Sequence, residues 1–93
     1  MKFVNTITFD RGCPGWIRNQ EVNRHALDKA LEYVNEILMA RGYIYLNQIY
    51  EAIHAIWNPD IYNKCYKAED GPLCVDIREH PKDESALLID VYQ

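Results

Sequence analysis

Between Asn19 and Gly42 the apolar residues Ala26, Leu27, Ala30, Leu31, Val34, Ile37 and Leu38 recur at the i, i+3, i+4, i+7 spacing of one face of an α-helix. No other stretch restricts the fold as strongly, because a helix of that length, roughly 30 Å at 1.5 Å per residue, must bury one long stripe against something else. Asn19 and Asn23 are both able to cap its start, since an Asn side chain accepts from a first-turn N–H. Arg41 and Gly42 supply the stop: a cation at the carbonyl end, then a residue that accepts positive φ. Asp28, Glu32, Asn35 and Glu36 fall on the opposite, solvated side.

The segments around this helix follow a different period. Phe3, Asn5, Ile7 and Phe9 alternate with Val4, Thr6 and Thr8, which predicts a strand with one apolar face. Gly12-Cys13-Pro14-Gly15 reads as a turn, and Trp16 and Ile17 just beyond it are expected to plug the core. Cys74–Ile77 and Leu87–Tyr92 read as an antiparallel pair joined by a polar, flexible tip over 79–85.

Tyr43–Leu46 is long enough for an edge strand or an extended connector. Asn47 then opens a second helix, with Ile49, Ala52, Ile53 and Ile56 as its stripe, Tyr50 and Trp57 widening that stripe, and Asn58-Pro59 as the stop. Residues 58–73 read as an ordered loop or a turn of helix anchored by Ile61, Tyr62 and Tyr66.

These elements predict one α+β domain over residues 1–93. In this two-layer sandwich the N-terminal strand joins the C-terminal hairpin in a small antiparallel sheet, and two helices cover one face. A mixed sheet with Tyr43–Leu46 as a fourth strand is the alternative.

Composition sets limits on function. A chain of this size hides roughly 60 to 68% of the surface its unfolded form exposes, enough for one core. No apolar run approaches the ~18 residues of a membrane span, and the first residues lack the apolar core of a secretory signal. The expected compartment is the cytoplasm, with no membrane partner. The net charge of −4 and the scattered Lys and Arg argue against nucleic acid, and neither helix is basic enough for a DNA-binding regulator.

Few residues are spaced for chemistry. Three cysteines, Cys13, Cys65 and Cys74, cannot close into a disulfide set and read as free thiols. Cys13 and Arg18 are similar in part to the Cys-x5-Arg phosphate loop of cysteine phosphatases, but four residues separate them and Pro14 interrupts the amides. His25, His54 and His80 lie too far apart to present two metal ligands from one turn. Ser85, the only serine, stands in a polar loop without a nucleophile context. No catalytic residue, metal or cofactor is implied, although a small enzyme or metal-binding domain built on Cys13, or on Cys65 with Cys74, stands as the rival reading.

What remains is aromatic content. Seven tyrosines, two tryptophans and two phenylalanines exceed what one helix stripe needs. They complete the core or form a contact patch, and Tyr50, His54 and Trp57, along one side of the second helix, are the candidate interaction surface.

The segment Arg41–Ile53, with its Gly42-Tyr43 and Leu46-Asn47-Gln48-Ile49-Tyr50 junction, together with Asp70–Ile77 and Leu87–Val91, resembles a family of small phage and prophage proteins of Gram-positive bacteria. The resemblance covers roughly the second half of the chain. It implies a bacterial or viral cytoplasmic origin and brings no activity and no catalytic residues with it. The expected function is therefore a non-enzymatic protein–protein interaction module, for which a homodimer through Tyr50, His54 and Trp57 is one form.

Overall fold

The computed structural model describes residues 4–93, so the Phe3 position of the expected N-terminal strand lies outside the described residues. Its elements run β1 (Asn5–Phe9), α1 (Gln20–Arg41), β2 (Tyr43–Tyr45), α2 (Leu46–Ala52), β3 (Cys65–Lys67), a 3-10 turn (Ala68–Asp70), β4 (Cys74–Glu79) and β5 (Leu87–Tyr92). β5 lies between β1 and β4, antiparallel to both, with Ile7 opposite Ile89 and Ile89 opposite Ile77. The N-terminal strand and the C-terminal hairpin thus form the expected small sheet of an α+β fold.

Residues directly opposite share a sheet face, so Ile7, Phe9, Leu87, Ile89 and Val91 point inward together. There they meet Leu27, Leu31, Val34 and Leu38 of α1 and Ile49 of α2 in one buried cluster. Full burial of each such side chain favours folding by about 1.5–3 kcal/mol. The other sheet face carries Thr6, Asp90 and Arg78: Arg78 Nε donates to Asp90 Oδ2 at 2.7 Å, and the Thr6 hydroxyl donates to Asp90 Oδ1 at 2.7 Å.

Asn19 is the cap of α1, its Oδ1 accepting from Val22 N at 3.2 Å, and Gly42 ends the helix at φ 96°. Asn23, the other candidate cap, lies inside the first turn and is 1% exposed. Its Oδ1 accepts from Ile17 N at 3.0 Å and its Nδ2 donates to Ile17 O at 2.8 Å, so one amide replaces a whole strand partner. Asn35 does the same for Leu73, accepting from its N at 2.8 Å and donating to its O at 3.1 Å. Asn35 therefore does not belong to the solvated side on which the sequence pattern put it. Ile17, expected in the core, is half-exposed and is held through its backbone.

Tyr43–Tyr45 is a strand, but not a fourth strand of the main sheet. It pairs antiparallel with β3, Ile44 opposite Tyr66, in a separate two-stranded sheet. That sheet is joined to β1 by the Asn5 amide, which donates to the Tyr66 hydroxyl. The 79–86 tip is internally bonded rather than loose: His80 Nδ1 accepts from Lys82 N and Asp83 N, and Asp83 Oδ1 accepts from Ser85 N and Oγ.

Candidate functional site

The second helix departs most from expectation. Asn47 is not its cap; Gln48 Oε1 accepts from Tyr45 N at 2.9 Å, and Asn63 Oδ1 receives Asn47 N at 2.9 Å. The helix also stops at Ala52, six residues before Asn58 of the Asn58-Pro59 signal. His54 turns to φ 56°, its N–H donates to Glu51 O at 3.1 Å, and Ala55 N donates to Tyr50 O at 3.0 Å. This is a Schellman ending with His in the left-handed position usually given to Gly. The Gly12–Gly15 turn abuts this ending, with Gly15 N donating to His54 O at 3.3 Å.

Tyr50, His54 and Trp57 consequently do not line one side of a helix. Tyr50 is 6% exposed, Trp57 is half-buried and packs edge-on against it with centroids 5.0 Å apart, and His54 is exposed. Burial, and after it the neighbouring Cys13 thiol, push the Tyr50 phenol above its ordinary pKa. Ile56, expected in the stripe, lies beyond the helix end and is 61% exposed.

The early stop leaves the seam between α1 and α2 open. Tyr33, Val34 and Ile37 of α1, with Ile44, Gln48, Glu51 and Ala52, line a depression of about 270 Å³. Ala26, Ala30, Ala52, Ile53 and His54 line a second one of about 220 Å³. The first, lined from both helices by Val34, Ile37 and Ala52, is the α1–α2 groove, and Ala52 also lines the second. Tyr33 stands on the groove rim, 59% exposed.

Arg41 occupies the end of that rim. Its Nε donates to Tyr43 O at 3.1 Å, its Nη2 to Gln48 Oε1 at 2.9 Å, and its guanidinium lies 4.6 Å from the Tyr43 ring centroid. Tyr43 in turn meets Tyr45 edge-on at 6.0 Å. These contacts hold the exposed Arg41-Tyr43-Tyr45 row in one arrangement.

The rival residues are dispersed. Cys13 is buried, its Sγ 3.8 Å from Thr8 O, while Cys65 and Cys74 are half-buried and unpaired. Among the described residues no three His, Cys, Asp or Glu side chains converge in a way that could hold a metal ion. No helix among them is long and apolar enough to cross a membrane.

Sequence reasoning missed Tyr33 as a surface residue because its neighbours Val34 and Ile37 belong to the core stripe. Its place three residues after Ala30 and four before Ile37, on the flank of that stripe, was the available signal. Comparison with known protein families, with curated proteins and with solved structures finds no match to this chain.

Proposed function

We propose that the protein is a non-enzymatic, cytoplasmic interaction module that pairs with a second copy of itself along the α1–α2 groove. The observation that carries this reading is the groove itself: an apolar floor with Tyr33 on its rim, Arg41 at the rim and Glu51 among its lining residues. A patch with one cation and one anion is self-complementary under a two-fold axis, because each copy offers Arg41 to the partner's Glu51. Tyr is enriched in interface centres, and Tyr33 supplies a large amphipathic contact with few rotamers to freeze. His54 lines the neighbouring depression, while Tyr50 and Trp57 pack edge-on against each other. Three unpaired thiols fit a reducing compartment. The second-half resemblance to phage and prophage proteins supports a bacterial or viral origin.

The test is absolute mass by light scattering across concentration. A species of twice 10.9 kDa is expected. Arg41→Glu or Glu51→Arg alone should return it to monomer, and the two together should restore the dimer. A strict monomer at every concentration, or a dimer indifferent to all three variants, overturns the reading.

A further inference from the structure

A different part of the surface holds a cleft of its own. The segment between β1 and α1 and the tip of the β4–β5 hairpin enclose a cleft of about 410 Å³ lined by Arg11, Trp16, Arg18, Asn19, Gln20 and Ser85. Its walls are fixed by contacts between the two segments. Trp16 Nε1 donates to Ser85 O at 2.7 Å, Gln20 Nε2 to Glu84 O at 3.0 Å, and Arg11 Nη2 to Ser85 Oγ at 3.2 Å.

The chain as a whole is acidic, at −4, yet no carboxylate lines this cleft and two guanidiniums do. Among the described residues the ion pairs are Lys29–Glu32 and Arg78–Asp90, so neither cleft arginine is paired with an acid. Asp83, whose charge Arg11 feels, already accepts from Ser85 N at 2.9 Å and Ser85 Oγ at 2.7 Å. It is close enough to oppose the Arg11 charge in part. Arg18 is exposed, with no ion pair or side-chain hydrogen bond among the described residues.

We propose that this cleft binds a small organic anion, a phosphate monoester or carboxylate head group attached to a flat ring, of about the size of a mononucleotide. The planar guanidiniums of Arg18 and Arg11 match either oxyanion geometrically. The Trp16 indole, whose N–H is already spent on Ser85, offers the ring a stacking wall. Cys13 is absent from the lining and buried, so the site binds and performs no thiol chemistry.

The experiment is a titration of the 15N-labelled protein with AMP, indole-3-acetate, inorganic phosphate and adenosine, followed on the two tryptophan indole signals. AMP or indole-3-acetate should move the Trp16 signal saturably, with a dissociation constant below about 1 mM, and leave Trp57 in place. Because the two differ in ring as well as head group, the head group is assigned as phosphate if inorganic phosphate displaces the tighter of them, and as carboxylate if it does not. Phosphate and adenosine alone should bind more weakly than AMP if AMP is the tighter. Arg18→Gln should weaken binding about tenfold or more, and Arg11→Gln less, because Asp83 opposes Arg11 already. Arg18 is exposed and makes no wall contact among the described residues, so Arg18→Gln should leave the remaining spectrum unchanged. Arg11→Gln also removes the bond to Ser85 Oγ and should shift signals of the hairpin tip. No saturable shift from either ring-bearing anion up to about 10 mM, binding unaffected by Arg18→Gln, or a neutral ring binding as tightly as its anion would each overturn the proposal.

Discussion

Gly15 and His54 are in backbone contact: Gly15 N donates to His54 O, and a Cβ at position 15 would stand 2.8 Å from the His54 Cβ and 3.2 Å from Ile53 O. Gly15 is therefore required for close approach, while His54 holds a positive φ that L residues rarely adopt. One contact thus joins the tight turn after β1 to the end of α2.

Opposite effects are expected at the two positions. Gly15→Ala should destabilise by about 1–3 kcal/mol, because the obstructing atoms belong to a turn and not to a mobile side-chain tip. His54→Gly should stabilise by up to about 1 kcal/mol, by removing the left-handed penalty at the cost of a freer unfolded chain. Urea denaturation of both variants checks the pair. A stable Gly15→Ala protein would mean that the turn and α2 are not locked together.

Asn23 and Asn35 each bracket one backbone residue, and their truncation should cost more than a helix surface change. Asn23→Ala leaves the N–H and C=O of Ile17 without their partners, and Asn35→Ala does so for Leu73. About 1–3 kcal/mol is expected from each, the larger from Asn23, which is the more deeply buried. Hydrogen exchange supplies the specific readout: the Ile17 amide should lose protection in the first variant and the Leu73 amide in the second. Losses under about 0.5 kcal/mol in both, the range of ordinary surface changes, would show that water replaces the brackets freely.

Acid should weaken the fold through two carboxylates. The Arg78 guanidinium bonded to Asp90, with help from Thr6, holds that carboxyl below its usual range. Ser85, through its hydroxyl first and then its backbone N–H, does the same for Asp83. A folded pKa below the unfolded one gives stability that is present above about pH 4 and lost as pH falls through the folded value. The thermal midpoint should decline over that acid range, and Asp90→Asn and Asp83→Asn should each flatten the decline. An unchanged pH profile in both variants would assign the acid loss to other groups.

The long helix, the strand alternation and the closing hairpin were legible because each is a local period, and Arg41 and Gly42 state the end of α1 in single residues, whereas its start stayed open between Asn19 and Asn23. The end of α2 was not legible. Ile49, Ile53 and Ile56 continue a helical spacing, and the contact of His54 with Gly15 is distant in sequence. The second sheet was hidden for the same reason: Cys65–Lys67 is too short to declare itself, and its pairing with Tyr43–Tyr45 depends on a loop closing over 19 intervening residues. Asn35 fits a polar face by type, and nothing nearby in sequence announces Leu73 as its partner. The open α1–α2 groove follows from these misread features, so it was illegible until they were placed.

Tyr50 and Tyr33 separate stability from association. Tyr50 is buried under Trp57 and beside Cys13, so Tyr50→Ala opens a cavity and should cost about 3–5 kcal/mol, the range for large aromatic truncations. Tyr33 stands in solvent on the groove rim, so Tyr33→Ser should change stability by no more than about 0.5 kcal/mol. Its effect should appear in the concentration dependence of mass, where the dimer dissociates at higher protein concentration than in the parent. Measuring the unfolding midpoint and the solution mass on both variants gives four values. If Tyr33→Ser lowers the midpoint as far as Tyr50→Ala does, the groove rim belongs to the core and cannot serve as a free docking face. If Tyr33→Ser leaves both quantities at their parent values, the second copy does not sit on Tyr33.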